Sequence, residues 1–90
     1  MEFFIVVERA GANFSSYSPD IRGCVGIGDT IEETVESMKQ SIEIALEECL
    51  KNDFPLPEPK GMAHHIQSKQ FEFEANAFFT TIYVEVPQLA

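Results

Sequence analysis

With 90 residues the chain is read as one domain, residues 1–90. Eight Phe and a 44% hydrophobic fraction supply a core and exclude a disordered chain. Fifteen Asp and Glu against six Lys and Arg give a net charge of −9. Phosphate binding draws on Lys and Arg to release counterions, so this balance argues against direct nucleic-acid binding and favours a basic partner.

In chain order, Phe3–Glu8 is a run of β-branched and aromatic residues that predicts a largely buried strand. Gly11 marks a hairpin turn within Ala10–Asn13, and Phe14–Tyr17 reads as a short second strand broken by Ser18-Pro19-Asp20. Gly23–Ile27 is the third strand, closed by Gly28-Asp29. The stretch from Met1 to Gly11 lacks a basic region, and its apolar run is too short for a signal peptide or a membrane span, so a cytoplasmic location is expected.

The helix that follows has the clearest signal. Thr30 and Glu33 form an S/T-x-x-E capping box. Ile31, Val35, Met38, Ile42, Ala45 and Cys49 recur at three- and four-residue spacing and, at ~100° per residue, share one face. The helix should run over 31–51, because Asn52 and Asp53 are poor helix formers and Pro55, Pro57 and Pro59 forbid continuation. Phe54–Gly61 is then an extended connection. Residues 62–76 carry weaker patterns, a helical turn over His64–Lys69 and a strand-like alternation over Phe71–Glu74. Phe78–Val86 is the last strand, stopped by Pro87. The order β-β-β-α-β predicts an α+β, two-layer sandwich: an antiparallel sheet with one long helix packed on one face.

Catalytic and metal signatures are weak. His64 and His65 are adjacent, so in an extended segment they point to opposite faces and cannot form a two-ligand metal face. Gly23, Gly26 and Gly28 lie where a phosphate loop would sit, but their spacing matches neither dinucleotide nor Walker patterns, and Asp29 and Glu32 place negative charge there. These glycines read instead as turn geometry and close backbone approach. Cys24 and Cys49 make no disulfide framework and read as small buried residues. No cofactor, metal site or catalytic residue is assigned.

The helix also carries Glu32, Glu36, Glu43 and Glu47 along one side, with Lys39 beside them. Like charges at i and i+4 cost about 0.2–0.5 kcal/mol each. Keeping two such pairs suits a helix that faces a basic surface, although an ordinary solvated face has the same composition.

One segment resembles the core signature of the HicB-like antitoxins. Pro19, Asp20, Gly23, Cys24, Gly28, Asp29, Thr30, Glu32 and Glu33 match its strand, Gly-Cys, Gly-Asp-Thr turn and capped helix, and Pro55-Leu56-Pro57 matches the family's proline-rich continuation. Arg22 and Thr34 depart from it, standing where small residues or proline, and alanine, are common. The resemblance implies a partly degraded ribonuclease-H-like fold without the catalytic carboxylates. It further implies an antitoxin that masks a small, basic, HicA-like mRNA-cleaving toxin. Many members add a C-terminal DNA-binding domain, and a chain that stops at Ala90 is expected to lack one.

The expected function is therefore non-enzymatic: steric occlusion of the toxin, aided by charge complementarity. The expected partner-binding residues are Glu32, Glu36, Glu43 and Glu47 with Tyr17, Asp20 and Arg22. Two alternatives stand beside it: a stand-alone homo-oligomer joined through its sheet edges, and a minimal nuclease or hydrolase using carboxylate-held Mg²⁺ or Mn²⁺.

Overall fold

The computed structural model describes residues 1–68 and 76–86. Its elements are β1 (Glu2–Ala10), β2 (Asn13–Ser18), β3 (Ile21–Gly28), α1 (Ile31–Lys51), α2 (Met62–Ser68) and β4 (Phe78–Tyr83). The sheet is antiparallel throughout, in the order β3-β2-β1-β4. The α+β class, the strand-strand-strand-helix-strand order and the bounds of α1 follow the sequence expectation. The strand-like pattern at 71–74 lies outside the described residues.

Period-2 alternation sorts β1 onto two faces. Phe3, Ile5 and Val7 meet Met38, Ile42 and Leu46 of α1, with Ile21, Cys24, Ile82 and Val84 completing the core. Phe4 and Val6 point the other way and are equally buried. Phe4 is covered by Phe79 of β4 and by the ring of His65 in α2 (centroids 5.4 and 5.9 Å). The long helix thus forms the second layer, and α2 patches the opposite face of the sheet.

α1 lies close on β3 because two glycines admit its backbone. A Cβ on Gly26 would stand 2.6 Å from Met38 N and Thr34 O, and one on Gly28 would stand 2.6 Å from Thr34 N. The glycines after Cys24 therefore serve close approach.

The helix begins as its capping box predicts. Thr30 Oγ1 accepts from Glu33 N–H at 3.1 Å. The reciprocal bond reaches one residue further back, with Glu33 Oε2 accepting from Asp29 N–H at 2.9 Å. At the other end Asp53 N–H donates to Leu50 O and Phe54 N–H to Cys49 O, with Asp53 left-handed at φ 55. That is a Schellman stop with Asp where Gly is the commoner choice. The buried stripe of α1 is Thr34, Met38, Ile42 and Leu46. Ile31, Val35 and Ala45 flank it and Cys49 is half-buried, so the predicted stripe is rotated from the true one. Thr34 is tolerated inside because its hydroxyl donates to Thr30 O at 2.7 Å.

Candidate partner-binding surface

Two groups of carboxylates organise the molecule differently. The first lies on α1. Glu32, Glu36, Glu43 and Glu47 are all exposed, along the side of the helix turned away from the buried stripe. None forms an ion pair among the described residues, where Lys60–Glu58 and His65–Asp20 are the charged contacts. Four negative charges therefore line one accessible face, and Lys39 beside them forms no ion pair with any of them.

The second is Asp20, in the turn between β2 and β3. Its side chain is shut off from solvent. Oδ2 accepts from Phe4 N–H at 2.8 Å, and Oδ1 accepts from Lys60 N–H at 2.8 Å and from His65 Nε2 at 2.5 Å. The reason is visible in the ladder. β1 faces β2 through its even positions, paired from Ala10 back to Val6, but β2 turns away before it reaches Phe4. Two side chains finish the pairing: Asp20 takes the Phe4 N–H, and Ser18 Oγ donates to the Phe4 carbonyl at 2.6 Å. Burial alone would push the Asp20 carboxyl up. The bonds from Phe4, Lys60 and His65 outweigh it and hold the group below its ordinary value. One carboxylate thus ties together β1, the proline-rich connection and α2.

The other expected contact residues fall apart from the stripe. Tyr17 is half-buried and pairs across to Val6 and Val25, on the sheet face opposite α1. Arg22 is exposed at the start of β3. Asp20 sits beside Phe4 and His65 on the Tyr17 side. The structure brings the four glutamates together, and places Tyr17 and Asp20 apart from them, on the face of the sheet away from α1.

His65 and Lys60 are the positions that sequence reading missed. The two histidines lie in a helix rather than an extended segment, so His65 is buried while His64 stays exposed, their rings 5.1 Å apart. No local signal marks His65, because its partner is 45 residues away. Cys24 is buried, which pushes its thiol up and makes it a poor nucleophile. Among the described residues no three His, Cys, Asp or Glu side chains are placed to hold a metal ion, and no helix is long and apolar enough to cross a membrane.

Comparisons with known proteins agree on the fold. The chain is 26% identical over 72 residues to a 14.9 kDa protein from the rep-hol intergenic region of Haemophilus phage HP1, covering 80% of this chain and 54% of that one. It therefore spans just over half of that relative's length. The fold superposes on the N-terminal domain of Burkholderia pseudomallei antitoxin HicB with a TM-score of 0.77 at 22% identity, covering 94% of this chain and 99% of that one. A chain of the HicA3 and HicB3 toxin–antitoxin complex gives 0.75 at 23% identity, with 94% and 99% covered. Against the longer Burkholderia HicB chain the score is 0.79 at 23% identity, with 96% of this chain and 64% of that one covered. The family model described as the HicB-like antitoxin of bacterial toxin–antitoxin systems matches residues 3–90. With the family model covering nearly the whole chain, the chain belongs to the HicB-like antitoxin family.

Proposed function

We propose that the domain binds and masks a small, basic, HicA-like toxin in the cytoplasm, by steric occlusion aided by charge, with no catalytic step of its own. The observation that carries this reading is the exposed line of Glu32, Glu36, Glu43 and Glu47, unpaired within the described chain, on a molecule of net charge −9. A set of fixed carboxylates speeds encounter with a cationic surface and disfavours acidic or neutral competitors. The HicB3 relative, solved with HicA3, supplies a toxin of the expected class.

The contact is centred on α1. Tyr17 joins it only for a partner that wraps the β3 edge, because it lies across the sheet, and Arg22 is exposed at the start of that strand. Asp20 contributes by holding the turn that presents them. The alternative, a homo-oligomer with no toxin, leaves the glutamate line without a cationic partner.

Coexpression with a small basic protein encoded beside this chain tests the proposal. The expected result is a copurifying complex and rescue of growth. A toxic neighbour that neither copurifies nor is neutralised would overturn it.

A further inference from the structure

α1 packs chiefly on β3, and its first residue, Ile31, reaches over towards β1 and β4. There it helps to enclose a cavity of about 360 Å³, lined by Val7, Arg9, Phe14, Ile31, Asn76 and Phe78. The sheet register explains the set. Val7 stands opposite Phe78 of β4 and Arg9 opposite Phe14 of β2, so these four side chains share the face that carries α1. Val7 is buried and makes the floor. Phe14 and Ile31 are half-buried walls, and Arg9, Asn76 and Phe78 stand exposed at the mouth.

The chemistry of this cavity is unlike the rest of the surface. The chain has fifteen Asp and Glu against six Lys and Arg. The cavity is lined by one guanidinium, one amide and no carboxylate. The acids that flank its β1 and α1 residues are directed elsewhere. Glu8 alternates onto the opposite face of β1. Glu32 belongs to the exposed line on α1, and Glu33 is drawn back to the Asp29 N–H at 2.9 Å. Arg9 forms no ion pair among the described residues. Its guanidinium lies over the Phe14 ring, 5.4 Å from the centroid. That contact engages the face of the fork and not its N–H edge.

We infer that this cavity is a binding site for a small aromatic monocarboxylate, whose ring lies against Phe14, Ile31 and Phe78 and whose carboxylate takes the fork of Arg9.

The class follows from lining, size and charge. A guanidinium donates N–H bonds, accepts none, and pairs with a carboxylate through two parallel bonds. Apolar and aromatic walls favour an offset-stacked or edge-on ring. Ligand pockets run from about 300 to 1,000 Å³, so this one sits at the small end and suits one or two fused rings rather than a nucleotide. One cation matches one negative charge, and the −9 field of the whole chain works against polyanions. The inference does not depend on a toxin binding the glutamates of α1.

Amide NMR spectra of the full chain titrated with naphthoate test it. Saturable shifts should centre on Val7, Arg9, Phe14, Ile31, Asn76 and Phe78. Naphthamide, of the same shape without the charge, should bind about tenfold more weakly or worse, because it forfeits charge-assisted bonds. Acetate, with the charge and no ring, should not saturate. Arg9→Gln should keep the wild-type circular dichroism, because Arg9 is exposed, and should bind acid and amide alike. No saturable shift at millimolar naphthoate, shifts centred elsewhere, equal affinity of the wild type for acid and amide, or an acid preference that survives Arg9→Gln would each overturn the inference. So would shifts of the lining residues that grow with protein concentration alone, since a second copy would then fill the cavity. Should Arg9→Gln fail to fold, the acid–amide comparison in the wild type decides alone.

Discussion

Asp20 and the glutamates of α1 carry the same functional group in opposite circumstances. Asp20 is sealed from water with three N–H donors around it, and its charge is used entirely inside the chain. Glu32, Glu36, Glu43 and Glu47 stand in solvent, and their charge is directed outward. The difference teaches that net charge divides by environment. One buried carboxylate ties the connection and α2 to the sheet, while the four glutamates stand exposed and form no ion pair among the described residues.

The sharpest way to break that contrast is to neutralise the buried group. Asp20→Asn leaves donors facing an amide that cannot accept from all of them, and removing one member of a buried pair costs about 3–5 kcal/mol. Against a total of about 5–15 kcal/mol for a domain, that is a large loss. Urea unfolding should show the midpoint fall, and hydrogen exchange should quicken first at Phe4, Lys60 and α2.

Acid makes the same point without mutation. The Asp20 carboxyl is held below its ordinary value of 3.8, so its contribution is fully present above that pH and disappears as pH falls through the lower folded value. Unfolding midpoints measured from pH 6 down through this region should drop in the wild type. The acid limb should be flatter in Asp20→Asn.

The inner side of α1 gives an intermediate effect. Gly26→Ala places a carbon 2.6 Å from backbone atoms of Met38 and Thr34, which must move. Overpacking of this kind costs about 1–3 kcal/mol, read as a lower thermal midpoint with the fold retained. On the outer side the effect should nearly vanish. Changing Glu32, Glu36, Glu43 and Glu47 together to Gln removes two like-charge pairs, so stability should hold or rise by about 0.2–0.5 kcal/mol per pair. A large destabilisation would show that these glutamates serve the fold after all.

Local chemistry made much of this legible. The Thr30–Glu33 cap, the prolines after Asp53 and the alternation in β1 each act within a few residues, and they gave α1 its bounds and the sheet its class. The glutamate line was legible for the same reason, since helical spacing fixes it. The Asp20 site was half legible. Asp20 stood out through the family pattern, but its role depends on Phe4, Lys60 and His65, which are 16, 40 and 45 residues distant. Thr34 was left out of the expected stripe because periodicity counts hydrophobicity and not the bond that lets a threonine sit inside, and Leu46 was passed over for its neighbour Ala45.

The most direct measurement is the affinity of the purified domain for a HicA-like toxin as a function of salt, taken alongside the four-glutamine variant. Strong wild-type binding that weakens steeply with salt, and a variant that folds normally but binds far more weakly with a flatter salt response, is the predicted outcome. Equal affinity and equal salt dependence for both proteins would contradict the assignment of the α1 face to the partner.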